Sequence, residues 1–157
     1  MASTEPILTA LRKRFRFSEG HVPHNEMDML HEAGKAADAL LYSVLFVPTL
    51  FIVDDSVLLM HGVDDAERHF LDAKRSSGMP LERLEASFNR VEVPFLFIDR
   101  DFDDDEERLL AERIAEAWRG ALAVFCPDRR FVVKVVPPEE NGDVTAVEFF
   151  ERRSGPS

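Results

Sequence analysis

Apolar residues recur along this chain in two rhythms, and the changes of rhythm predict its elements. Ile7, Leu8, Leu11 and Phe15 fall three and four positions apart, so residues 4–15 read as a short helix with one apolar face. Residues 17–23, with Gly20 and Pro23, break that pattern and form a connector. A second helix is expected over 25–42. Asn25 can cap it, Glu26 and Asp28 suit the positive end of its dipole, and Leu30, Ala33, Ala37 and Leu41 supply the buried stripe.

The rhythm then shifts to apolar and β-branched runs. Leu45–Val53 and Val57–Met60, separated by Asp54-Asp55-Ser56, predict a β-hairpin, with Pro48 at an edge or at the start of its strand. Asp64 is expected to cap a helix reaching about Arg75, with Glu67 completing a capping box. Ser76–Pro80 stops that helix, and a short one follows over Pro80–Phe88. Val91–Ile98 reads as a strand carrying Pro94. Residues 104–118 form an amphipathic helix with Leu110, Ile114, Ala117 and Trp118 on one face.

The last third predicts an antiparallel meander. Its strands are Ala121–Cys126, Phe131–Val136 and Val144–Glu151, joined by a turn at Pro127-Asp128-Arg129 and a loop Pro137–Asp143 containing Asn141-Gly142. Arg152–Ser157 is expected to fray. No repeat and no dividing linker interrupts the chain, so the expectation is one α+β domain over 1–157. It is a two-layer domain, with helices packed on a mainly antiparallel sheet that ends in a C-terminal β-meander.

Composition supports a packed core. Of 157 residues, 45% are apolar and thirteen are Phe, enough ring area for one continuous interior. The formal charge of −11 disfavours nucleic acid and anionic membrane surfaces, and it admits a basic protein partner. Charge is also uneven, with Arg12, Lys13, Arg14 and Arg16 at one pole and the acidic run at the other. Homo-oligomerisation through these poles is compatible with the sequence, although a solvated surface is the commoner outcome. The single Cys126 sits in an apolar run and reads as a buried filler. No secretory pattern opens the chain, and the longest apolar stretch, Val44–Val53, has ten residues, too few to span a bilayer. A reducing cytoplasm is the expected compartment.

The acidic run packs seven carboxylates into nine positions: Asp99, Asp101, Asp103, Asp104, Asp105, Glu106 and Glu107. Asp99-x-Asp101-x-Asp103 imitates the opening of an EF-hand loop, but Asp104 stands where that loop needs Gly, and Leu110 where it needs Glu. A looser Mg²⁺ or Ca²⁺ site is one reading. The economical one is that Asp103 or Asp101 caps the following helix while Asp105, Glu106 and Glu107 favour its dipole. A cap and a first turn need two or three carboxylates, and the surplus suggests an acidic face for a basic partner.

His21, His24 and His31 are the candidate zinc ligands, but H-E-x-x-H is absent and exposed histidines are the plainer reading. No G-x-S-x-G elbow, P-loop or dinucleotide fingerprint occurs, so no catalytic residue and no cofactor is assigned. The leading expectation is a non-enzymatic acidic protein that binds a protein partner, in a toxin-neutralising or escort-type role. The alternatives are a cation-dependent hydrolase or transferase using Asp99–Asp103, and a small-ligand module with its cavity between the Phe-rich sheet and its helices.

Overall fold

The computed structural model describes residues 5–14, 25–60, 65–98, 101 and 103–153. Close contacts divide the chain into two compact units, Met1–Val44 and Leu45–Ser157. The architecture is α+β, with helices and antiparallel sheets, as the alternating rhythms predict.

The first unit holds α1 (Glu5–Arg14), α2 (Glu26–Ala33) and most of α3 (Ala36–Phe46). Asn25 caps α2 as expected, its side-chain oxygen accepting from Met27 N at 2.9 Å and Asp28 N at 3.0 Å. The single helix predicted over 25–42 is two helices. Gly34 ends the first with extended backbone, and its N–H donates to Leu30 O at 2.9 Å. A Cβ on Gly34 would lie 2.4 Å from that same oxygen, so only glycine makes this stop without moving the helix end.

In the second unit β1 (Leu50–Val53) and β2 (Ser56–Leu59) form the predicted hairpin. Asp54 and Asp55 both take positive φ, 43° and 70°, as a two-residue type I′ turn requires. Lys74 donates to the Asp54 carboxylate at 2.8 Å, and that hydrogen bond, with the charge behind it, holds the Asp54 carboxyl below its ordinary range. Pro48 precedes β1, where no ladder bond is lost. Helices α4 (Ala66–Ser76) and α5 (Leu81–Phe88) follow. The capping residue described for α4 is Asp65, in the left-handed region; the expected Asp64 lies outside the described residues.

The strand predicted over Val91–Ile98 shortens to β3 (Arg90–Glu92), because Val93-Pro94 opens a 3-10 turn over Val93–Leu96. Helix α6 runs from Asp104 to Phe125, seven residues beyond the predicted end. The expected strand Ala121–Cys126 is therefore the last part of α6 and its cap. Leu122 continues the buried stripe of Ala111, Ile114, Ala115 and Trp118 at helical spacing, and burial on that stripe outweighs the strand propensity of Val124 and Phe125. The C-terminal hairpin of β4 (Phe131–Val136) and β5 (Ala146–Glu151) forms as predicted, and β3 is the third strand, giving the order β3-β5-β4.

Strand alternation sorts the core. Phe131, Val133, Val135, Val147 and Phe149 pack with Trp118 and Leu122 of α6, and Val57 and Leu59 join them from the hairpin. Leu58 and Val53 belong to a second cluster with Phe70 of α4 and Leu84 of α5. Strand β2 is thus buried on both faces, whereas Ile52 of β1 is exposed. Within the second unit Trp118 donates its ring N–H to Leu45 O at 2.8 Å. Cys126 is buried there, as its apolar neighbours imply.

Buried Asn89 links the hairpin to the three-stranded sheet. Its oxygen accepts from Leu59 N at 2.9 Å and its amide donates to Val57 O at 2.9 Å, so one side chain satisfies the outer edge of β2 as a neighbouring strand would. A chain of charges ties the C-terminus down. Glu85, 1% exposed, accepts from Arg153 Nη2 at 2.7 Å and from Glu151 N at 3.0 Å. Arg129 bonds Glu151 and the Asp55 carbonyl. These hydrogen bonds, donated by Arg129 to Glu151 and by Arg153 to Glu85, raise both guanidinium pKa values. Of the segment expected to fray, Arg152 and Arg153 are described, and both are hydrogen-bonded.

Candidate functional site

The start of α6 is where the sequence concentrates its carboxylates, and most of those described are bonded or paired. Asp103 is the cap: its side chain accepts from Glu106 N at 2.9 Å, and the Glu106 carboxylate accepts from Asp103 N at 3.2 Å, a complete capping box. Glu107 accepts from Thr145 N at 2.9 Å and so anchors the start of the β5 segment. Asp105 lies 3.5 Å from Arg108 across an exposed turn. Asp101 and Asp104 are exposed, and Asp99 lies outside the described residues. The predicted cap is therefore present, and the surplus is smaller than the sequence suggests.

Among the described residues no three His, Cys, Asp or Glu side chains converge to hold a metal ion. His31 sits exposed on the last turn of α2. His21 and His24 lie outside the described residues, so the zinc candidates are represented by His31 alone.

A cleft of about 420 Å³ opens between the β1–β2 hairpin and the helices α4 and α5. Phe51, Leu58, Leu59 and Phe88 supply its apolar lining, and His69, Ser87 and Arg90 its polar groups. Ser87 donates its hydroxyl proton to Leu84 O at 2.7 Å within its own helix. Arg90 is held by Glu148 on β5 and donates to the Asn141 side-chain oxygen at 2.7 Å. Glu148 also meets Lys134 Nζ at 3.1 Å, so this buried carboxylate serves two cations. The cleft can enclose a small apolar molecule. It offers no activated nucleophile, because Ser87 bonds its own helix and no hydrogen bond joins it to His69.

The larger exposed apolar surface lies on the helices before the hairpin. No residue of α3 is buried, and Leu40, Leu41 and Val44 are 75%, 64% and 68% exposed. Met27 and Leu30 of α2 are exposed as well. Leu41 and Leu30 were expected in a buried stripe; here they face solvent. Sequence periodicity identifies an apolar face but does not say whether the same chain covers it. The feature that could have raised the question is composition: Asp38 is the sole charged residue among the eleven of α3.

No family model, curated protein or solved structure matches this chain. Among the described residues no helix is long and apolar enough to cross a membrane.

Proposed function

We propose that this protein is a non-catalytic binding protein that docks a protein partner through the apolar surface of α2 and α3. The observation that carries the reading is α3 itself. An eleven-residue helix is too short to be stable by its own hydrogen bonds, and an apolar one gains its stability by packing. Its exposed leucines form the kind of contiguous apolar surface that marks interaction sites. Four carboxylates and one lysine lie between Asn25 and Val44, so the matching partner presents an apolar groove rimmed by Lys or Arg.

A toxin-neutralising or escort role is consistent with such chemistry, and the buried, single Cys126 suits a reducing cytoplasm.

The test places a photocrosslinking residue at Leu41 or Val44, and at Arg108 as a control, in the native host. The expected result is one partner crosslinked from the α3 positions and not from Arg108. Its complex should weaken with salt and be lost in Leu41→Glu/Val44→Glu while the far-ultraviolet circular dichroism is retained. Equal crosslinking from Arg108, or an unchanged complex in the double variant, overturns the proposal.

A second reading rests on the cleft between the hairpin and α4–α5, whose volume and apolar lining suit a small ligand. Displacement of an environment-sensitive dye by a small apolar carboxylate, lost in Leu58→Trp, is the outcome that would favour it.

A further inference from the structure

The basic residues near the C-terminus divide into two sets. Arg129 and Arg153 are turned into ion pairs with Glu151 and Glu85. Their neighbours Arg130 and Arg152 are exposed and make no ion pair among the described residues. These two, with Arg119 of α6, line a depression of about 460 Å³ along Phe131, Val132 and Val133 of β4. A chain with net charge −11 thus gathers three arginines beside one strand, with no carboxylate among the described residues that line the depression.

That strand is an edge. With the order β3-β5-β4, β4 is paired on one side only. Arg152 N donates to Arg130 O at 2.8 Å, so the backbone of Arg130, and by alternation of Val132 and Lys134, faces β5. The backbone groups of Phe131, Val133 and Val135 consequently point away from the sheet. Among the described residues one bond reaches them: Arg119 Nη2 donates to Val133 O at 2.9 Å. The outward edge is a row of unused peptide groups with arginines beside it.

We propose that the β4 edge binds an extended acidic peptide segment of a partner protein by strand addition. Backbone pairing with Phe131, Val133 and Val135 would provide the register. Arg119, Arg130 and Arg152 would select carboxylate side chains, which planar guanidinium groups bind in paired fashion. A second copy of this edge is a poor occupant, because pairing β4 with itself brings two sets of arginines together. The residues of this edge are different from those of α2 and α3, and its partner has the opposite charge.

The test titrates the full chain with a fluorescein-labelled ten-residue peptide alternating Glu and Val, followed by anisotropy. Three comparisons accompany it: a Lys/Val counterpart and two peptides N-methylated at alternate residues, one at the even and one at the odd positions. Saturable binding that falls steeply with salt is expected for the acidic peptide. One N-methylated form should fail and the other bind, because only alternate N–H groups face the sheet. Arg130→Ser/Arg152→Ser should weaken binding at least tenfold. Amide exchange at Phe131, Val133 and Val135 of the unaltered chain should slow on adding peptide, a measurement independent of any variant. The proposal is overturned by absence of binding, by equal binding of both N-methylated forms, or by unchanged affinity in the double variant. Tighter binding of a single-stranded oligonucleotide than of the acidic peptide would also overturn it. So would a double variant that self-associates while the unaltered chain binds no peptide, since the arginines would then only guard the edge.

Discussion

The acidic start of α6 and the basic edge of β4 invert what their sequences advertise. The first carries seven carboxylates in nine positions, yet Asp103, Glu106 and Glu107 satisfy backbone N–H groups and Asp105 faces Arg108. The second draws on three arginines scattered over 119–152, none conspicuous in the sequence, and they converge beside unpaired strand backbone. Charge density along a chain measures how much charge is made. Whether it is available depends on what each group meets after folding.

The comparison can be broken most forcefully where charge is wholly committed. Glu85 is buried and bonded to Arg153 and to Glu151 N, so Glu85→Ala leaves Arg153 with Glu151 as its remaining carboxylate partner, at 3.1 Å, and leaves an unsatisfied N–H. The expected loss is about 3 kcal/mol, the low end for a buried pair because Arg153 is partly exposed. Urea unfolding followed by Trp118 fluorescence measures it, and a loss below about 1 kcal/mol would show that this charge is not committed in the sense argued. A smaller effect is expected at the acidic run. Asp103→Ala removes the cap and should cost about 1 kcal/mol by the same measurement.

The smallest effects should mark the available groups. Asp104→Asn should shift stability by no more than about 0.5 kcal/mol, and so should Arg130→Ser/Arg152→Ser, since surface substitutions away from bonded features change little. The pair of results sharpens the contrast. If Asp104→Asn cost as much as Asp103→Ala, the acidic run would be a cooperative structural unit with no spare charge. Loss of stability in the arginine variant would likewise place those groups with Arg129 and Arg153.

What could be read beforehand follows the range of the interactions. The Asp103 cap of α6 reaches three residues and Asn25 caps α2 over two and three, so both caps are legible from spacing. The return bond from Asp103 N to Glu106 is not among the sequence expectations. The bond from Thr145 N to Glu107 joins residues 38 apart, and Asn89 reaches Leu59 over 30. No local pattern encodes either. The α6 boundary was misplaced for a related reason. Val124 and Phe125 favour a strand locally, while the helix continues because Leu122 is buried beside the sheet core. Gly34 shows the converse, a stop visible as a glycine whose necessity appears only in its approach to Leu30 O.

By itself the sequence determined the class of fold, the two β-hairpins and an aspartate cap for α6, because these depend on periodicity and on groups a few residues apart. Tertiary structure alone decided which apolar faces are covered, which charges are neutralised and which strand is left as an edge. Those outcomes depend on contacts between segments tens of residues apart, whose free energy is realised only when the chain has closed on itself.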